Sequence, residues 1–408
     1  MHIFGEKMIS AAARPYIDAS VPVLREHGLA ITRTFYRNMF AAHPELTNLF
    51  NMGNQANNMQ QQSLAAAIFA YAANIDNAAA LEPVVSRIVH KHASVGIKAE
   101  HYPIVGRHLL GAIQEVLGDA ATPPLIAAWE EAYSELASAL IATEKSLYAQ
   151  AGTTPGELRE MRVHEVRTES EDIKAFVLEA VDGKPLPEFS PGQYVSVSVT
   201  FEDGTTQLRQ YSLSDAPHSR YLRISVKRER YEEEKPAGRV SNWLHDYVRA
   251  GSIIKITHPF GDFTLDTKSD VPVVFLSAGV GITPMVSMLN GIAQINPERH
   301  VVFAHAARGK DWHAHQADIA AAKKLMPNLR DVSFYEEISE VDCDEVATYA
   351  GRMELSKLPS WSYKDTDVYL CGPVEFMQEQ WRALLEAGVP ANRLHREVFG
   401  PELLNYLN

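Results

Sequence analysis

The spacing of apolar residues changes twice along this chain, and that limits its fold more than any other feature. Up to about residue 149, apolar side chains recur at three and four, as in QQSLAAAIFAYAANI and LIAAWEEAYSELASALIATEKSLYAQ. This is the period of helices buried on one side. The small, polar stretch QAGTTPGE (Gln150 to Glu157) then reads as a linker. From about 160, short β-type segments (VSVSVTF, YLRISVKRE, IIKITHP) alternate with turn residues, the pattern of a small antiparallel barrel. After about 270, apolar strands (VPVVFLSAG, HVVFAHAAR, VSFYEE, DVYLCGP) alternate with helical stretches, which calls for a parallel sheet covered on both faces. The expected division is 1–149, a linker at 150–158, 159–267 and 268–408. The charged run Arg228 to Pro236 reads as a solvated loop insertion.

Composition excludes several classes. A formal charge of -13 argues against nucleic acid as a partner. No run approaches the roughly 20 apolar residues that span a bilayer, and the start of the chain lacks the apolar core of a secretory signal. The expectation is a cytoplasmic protein that is not integral to a membrane. The two cysteines, Cys343 and Cys371, form no C-x-x-C-H, so covalent c-type heme attachment and a disulfide framework are both excluded.

In LEPVVSRIVHKHASVG, Leu81, Val84, Val85, Ile88, His92 and Val95 share one helical face. His92 is therefore expected in the core and His90 in water. A core histidine is commonly structural; a metal ligand is the alternative. The last helix of this region bears on the choice. Trp129, Tyr133, Leu136, Leu140 and Glu144 follow one another at steps of 4, 3, 4 and 4, which puts a carboxylate on the apolar stripe. Buried carboxylates are rare without a partner. Glu144 either escapes at the helix end or holds the second nitrogen of a ligand histidine, which raises ligand basicity. On an earlier helix Gln60, Leu64 and Ile68 share a face, although three successive glutamines leave the choice among them open.

The order Phe35-Tyr36, HPELTNLFNM (His43 to Met52), Gln60 with Leu64, and KHASVGIKAEHYPIVGRHLL (Lys91 to Leu110) resembles the globin domain of the flavohemoglobins. The resemblance covers nearly the whole chain. It implies an all-α globin domain, an antiparallel β-barrel FAD-binding domain and an α/β parallel-sheet NAD(P)-binding domain of the ferredoxin-reductase type. It implies that His92 is the proximal ligand of heme b and that Phe50 packs on the heme. Tyr36, Gln60 and Leu64 would form the distal pocket, Tyr102 and Glu144 would hold His92 from behind, and Lys91 would tune the redox potential. A carboxylate-bonded histidine pushes electron density onto iron, which favours activating dioxygen over storing it.

The barrel carries PGQY, ending at Tyr194, and RQYS, which is Arg209, Gln210, Tyr211 and Ser212. Together they resemble a ferredoxin-reductase flavin site. The resemblance implies that Arg209 pairs with the FAD pyrophosphate, that Tyr211 lies against the flavin and that Ser212 reaches its edge. GRVSNWL, with Gly238, Val240 and Ser241, looks like a helix start near the pyrophosphate, where free N–H groups suit an anion. FLSAGVGITPM joins a strand to a helix through Gly279, Val280, Gly281, Ile282, Thr283 and Pro284; a lone G-x-G is weak, but this one closes a buried strand. In the family the Cys371-Gly372-Pro373 turn lies by the nicotinamide; the bland reading of Cys371 is a small buried residue. HREVFGP resembles the segment that returns Phe399 to the flavin, with Glu397 tuning it and Val398, Gly400 and Pro401 alongside. Three features depart from the family: TTPGEL replaces Gly-Gly-Trp at the domain junction, His-Arg precedes Glu397, and the 228–236 insertion is long.

The activity implied is that of a nitric oxide dioxygenase, with electrons passing from NAD(P)H through FAD to heme b while NO and O2 become nitrate. A flavin converts the two-electron nicotinamide step into one-electron steps at heme. The protein is expected to act as a monomer on these small molecules, with a lipid as a further candidate occupant of the heme pocket. Hydroperoxide reduction at the same heme is an alternative. An O2 or NO sensor or store belongs to a different class, against which the reductase half argues, and a flavin reductase with a vestigial globin is disfavoured by His92, Phe50 and Tyr36. Arg308 leaves NADH and NADPH equally open.

Overall fold

The computed structural model describes residues 9–50, 58–218, 220–231, 236–337 and 347–400. The first region is helical: α1 (Arg14–Ala42), a 3-10 turn (Pro44–Leu49), α2 (Met59–Ala73), α3 (Ala78–Val95), α4 (His101–Leu117) and α5 (Pro123–Ala151). Local chemistry sets the ends of the helix that bears His92. The Asn77 side chain accepts from the Ala80 N–H at 3.2 Å, satisfying a donor at the start of α3. At its far end Gly96 takes φ +80, and Ile97 N–H donates to the His92 carbonyl at 3.0 Å. This left-handed cap closes the helix immediately beyond His92. α1 approaches α2 closely at Gly28, where a Cβ would lie 3.5 Å from that of Ala65.

The helix α5 runs through Ala151, so it includes the first two residues of the expected linker. The rest of the linker packs on the α3 cap: a Cβ on Gly96 would meet the Gly156 Cα at 2.6 Å.

The barrel has six antiparallel strands: β1 (Arg159–Thr168), β2 (Ile173–Ala180), β3 (Tyr194–Thr200), β4 (Thr206–Ser212), β5 (Leu222–Lys227) and β6 (Ile253–Ile256). Their order is β4-β3-β6-β1-β2-β5, and a bridge from Leu213 to Ile224 joins the two ends. A short helix, α6 (Arg239–Tyr247), packs Val240 and Leu244 into the barrel core. Of the 228–236 insertion, residues 232–235 lie outside the described residues. Tyr231 is exposed, but Arg228 Nε donates to Asn242 Oδ1 at 2.9 Å and Glu229 accepts from Gly238 N–H at 2.9 Å, so the ends of the insertion are tied to α6.

The third region is a six-stranded parallel sheet, β7 (Val273–Ala278), β8 (Val301–Ala307), β9 (Leu329–Tyr335), β10 (Thr348–Ala350), β11 (Asp367–Cys371) and β12 (Leu394–Glu397), ordered β10-β9-β8-β7-β11-β12. Alternation divides its core. Val273, Phe275 and Phe303 pack under α7 (Ile282–Ile295) and α8 (Gln316–Leu325), while Val274, Leu276 and Phe334 pack against α9 (Val374–Glu386). The strand order reverses between β7 and β11, and such a switch point is where doubly wound sheets bind ligands, at the carboxyl ends of the strands.

Candidate functional site

The globin site centres on His92. Its Nδ1 lies 2.8 Å from Glu144 Oε1, and the Tyr102 hydroxyl donates to the same oxygen at 2.5 Å. Glu144 is only 3% exposed, so the stripe read from the sequence does carry a buried carboxylate. Burial and the Glu144 carboxylate push the Tyr102 hydroxyl well above its usual pKa, which keeps it a donor. With Nδ1 committed to Glu144, Nε2 is the ring nitrogen left to bind a metal.

Tyr36 is buried on α1, with its ring stacked on Phe40 at 5.7 Å and edge-on to Phe50 at 5.8 Å. Gln60, Leu64, Ile68 and Phe69 on α2 are only partly buried, and the His92 side chain is 34% exposed although its helix face is apolar. A flat apolar macrocycle would cover this set, so the residues fit heme.

The flavin motifs meet in register. Tyr194 pairs with Ser212 and Ser196 with Gln210 across β3 and β4. Arg209 donates to the Leu208 carbonyl at 2.7 Å and to Gln207 Oε1 at 3.0 Å, and burial lowers its pKa. Burial raises that of Tyr211. The Ser212 Oγ is buried with no hydrogen-bond partner among the described residues, an orphan that a flavin edge would satisfy. Val240 and Ser241 are buried in the first turn of α6, behind Gly238. These residues fit FAD.

At the switch point Gly279 takes φ +53, and Gly281 lies so close to β11 that a Cβ would meet the Cys371 carbonyl oxygen at 2.3 Å. The two nicotinamide motifs, Gly279–Gly281 and Cys371–Pro373, are therefore brought together, with Ile282, Thr283 and Pro284 buried behind the first and Val280 partly exposed. The Cys371 thiol is fully buried, and burial and Glu397 push its pKa well up. The turn thus offers a ligand its backbone, Gly372 and Pro373. A dinucleotide fits this cradle.

Glu397 pairs with Cys371 across β11 and β12. Burial raises its carboxyl to about 7, against the opposing pull of Lys91 and Arg87 from α3. The Lys91 ammonium donates to the Gly400 carbonyl. Val398 N–H donates to Glu397 Oε1 at 2.9 Å, and Phe399 stands 47% exposed beside this contact. Pro401 and Met52 lie outside the described residues.

One expectation fails. His90 does not face water: its Nδ1 accepts the Gly261 N–H of the barrel at 3.0 Å. Helical periodicity marks the face that packs within the globin and is blind to a face covered by another domain. Ser94 belongs to the same interface and was not singled out. Its Oγ accepts from Gln210 Nε2 at 3.2 Å and meets the Tyr194 hydroxyl. Only its position two residues beyond His92 could have drawn attention to it.

Comparison with known proteins agrees with this architecture. Residues 33–140 match the globin family, 160–265 the oxidoreductase FAD-binding domain and 275–381 the oxidoreductase NAD-binding domain. The flavohemoprotein of Bordetella parapertussis is 48% identical over 400 residues, 96% of this chain and 99% of that one. That of Bacillus subtilis is 43% identical over 95% of this chain and 96% of its own. The flavohemoglobin of Malassezia yamatoensis, solved with bound FAD and heme, superposes with a TM-score of 0.85 at 29% identity, covering 96% of this chain and all (100%) of that one.

A globin fused to a ferredoxin-reductase-type flavin and nicotinamide unit defines an NAD(P)H-dependent oxidoreductase with heme, FAD and nicotinamide as its cofactors. The chain belongs to the flavohemoprotein family. No helix among the described residues is long and apolar enough to cross a membrane.

Proposed function

We propose that this protein is a nitric oxide dioxygenase: NO, O2 and one electron give nitrate, and one NAD(P)H supports two such turnovers. When bound, the nicotinamide supplies hydride, the FAD divides the electron pair and the heme iron binds and activates oxygen. The chain's residues orient and tune these groups. His92 holds the iron through Nε2. Glu144 takes the Nδ1–H, which fixes the tautomer and strengthens the ligand, and Tyr102 holds Glu144 in place. The Tyr36 hydroxyl is the hydrogen-bond donor of the distal side, with Gln60, Leu64 and Phe50 shaping the pocket around it.

Arg209, Ser212 and the start of α6 hold FAD, with Tyr211 and Phe399 as its aromatic neighbours. Gly279–Pro284 and Cys371–Pro373 hold the dinucleotide. Lys91 and Glu397 lie between the heme and flavin sites and tune both. All three sites come from one chain, so the reaction needs no second subunit. The helical domain runs through Ala151, the rest of 150–158 is linker, and the other two domains divide at 159–267 and 268–408. A homologous FAD and NAD domain from Vibrio cholerae, 35% identical over 60% of this chain with a TM-score of 0.54, belongs to a protein named nitric oxide dioxygenase.

The contact that carries the proposal is the 2.8 Å link between His92 and Glu144. An oxygen store has no use for a strongly donating proximal ligand. The test is nitrate formation by Glu144→Gln. Turnover should fall about 10- to 100-fold, as when other groups supporting a metal ligand are lost, with flavin reduction intact. Unchanged turnover refutes this role for Glu144.

A further inference from the structure

A buried polar cluster joins the flavin barrel to the nicotinamide domain, and none of the cofactor motifs accounts for it. His315, immediately before α8, is fully buried and holds φ +61, a left-handed backbone that few residues with a side chain adopt. Such a conformation persists only where its surroundings hold it, and it clusters at functional sites. The His315 ring reaches both domains. Its Nδ1 lies 3.0 Å from Asp318 Oδ2 on α8, and its Nε2 lies 3.0 Å from Ser225 Oγ on the barrel strand β5. With the carboxylate as acceptor, Nδ1–H is the donor and Nε2 accepts the Ser225 hydroxyl.

Asp318 is the centre of the cluster. Its Oδ1 accepts from the buried Arg223 of β5 at 2.9 Å and from Asn290 of α7 at 3.0 Å. Burial pushes its carboxyl up, but the His315 hydrogen bond and the Arg223 guanidinium outweigh burial and hold it well below the usual carboxylate range. Both partners lead to a cofactor motif. Arg223 Nε donates to the Ser214 carbonyl at 3.1 Å, two residues beyond Ser212 and the flavin edge. Asn290 and Ser287 donate to the Asp215 side chain and carbonyl at 2.8 and 2.7 Å, and both lie on α7, which starts within the Gly279–Pro284 turn. The end of the flavin strand and the helix behind the dinucleotide turn are thus fastened to each other around one carboxylate.

We infer that His315 and Asp318 are positioning residues for hydride transfer, setting how the nicotinamide domain sits on the barrel and so how the nicotinamide meets the flavin. They act through Arg223 and Asn290 and touch neither cofactor. The step itself balances within the known reaction: NAD(P)H loses a hydride and FAD gains it. Reacting atoms must stand about 3–3.5 Å apart, and a misplacement of about 1 Å costs about 10²-fold in rate. The inference rests on the placement of FAD at Ser212 and of the dinucleotide at Gly279–Pro284 proposed above.

Two variants of the heme- and FAD-loaded protein test it. Asp318→Asn removes the charge but leaves Arg223 buried without its anion, which endangers folding. His315→Asn keeps that pair and a left-handed backbone, which asparagine tolerates, while its shorter side chain cannot span from Asp318 to Ser225. In stopped flow at saturating NADH, FAD reduction should slow about 10- to 100-fold. A primary isotope effect with NADH deuterated at the transferred position should show that the slowed step is hydride transfer. Reduction of heme by reduced flavin should not change. Without nicotinamide present, amide hydrogen exchange should quicken in Leu213–Asp215 and the first half of α7, but not in α3. A merely structural role would lower Tm yet leave the saturated rate of FAD reduction at wild type. That result in His315→Asn, or unchanged exchange in both segments, overturns the inference. Failure of the underlying placement looks different: Ser212→Ala would leave the flavin spectrum and flavin reduction unchanged.

Discussion

Glu144 and Glu397 are both buried, for different ends. Glu144 shares one oxygen between His92 and Tyr102, so its burial is matched by two donors. Glu397 receives one backbone N–H and lies within reach of Lys91, and its carboxyl rises to about 7. The unfolded chain would release that proton near 4.5, whereas the native state keeps it to about 7. The stabilising difference is full below the unfolded value and is lost as pH rises through the folded one. Melting of FAD-loaded wild type and Glu397→Gln should therefore diverge, with wild type losing stability relative to the variant between pH 4.5 and 7. Parallel profiles would show that the carboxyl does not titrate there. On the distal side, Tyr36→Phe should speed O2 release and lower nitrate turnover while leaving flavin reduction by NADH unchanged. Stopped-flow O2 dissociation checks this. Glu144 could be read from the sequence because a carboxylate broke an apolar stripe; Tyr36 could be read only through the family resemblance, because by periodicity alone a tyrosine within FYRNMF looks like core.

Among the elements, the switch point has the least room. Gly281 touches the Cys371 carbonyl, and no side chain fits there without moving β11 or α7. Gly281→Ala should cost about 1–3 kcal/mol of stability, as overpacked sites do. It should slow hydride transfer to FAD by about 10²-fold through misplacement of the dinucleotide, with the heme spectrum unchanged. Near-normal flavin reduction would mean that the turn yields. The parallel sheet was open to sequence reading because its strands are apolar on both faces, as the two cores around Phe275 and Leu276 now show. The short edge strand β10 was not, since Thr348–Ala350 has neither the length nor the pattern to stand out. Closure of the barrel through Leu213 and Ile224 is likewise a tertiary fact, with no local signal in either residue.

At the scale of the molecule, helix α3, which carries His92, docks directly on the barrel and on the final strand region. His90 meets Gly261, Ser94 meets Gln210 and Tyr194, and Lys91 meets Gly400. The Tyr148 ring adds an edge-on contact to Phe260 at 6.0 Å. The chain thus makes a defined junction even though its linker lacks the family's usual tryptophan. Ser94→Ala would remove the hydroxyl that Tyr194 meets in a buried setting, at a cost of about 1–3 kcal/mol. It should slow reduction of heme by flavin while leaving reduction of flavin by NADH at the wild-type rate, as stopped-flow spectra of the two chromophores would show. Equal slowing of both steps would place the effect in the reductase half instead.

The whole arrangement, three cofactor sites on one chain with an activating ligand at the end, stands or falls with its product. The direct measurement is NO consumption by heme- and FAD-loaded protein in air with NADH, counting nitrate formed and NADH used. Rapid loss of NO with two nitrates per NADH is the expected result. Heme that is reduced and binds oxygen, yet forms no nitrate from NO, would contradict the proposal and turn attention to hydroperoxide substrates.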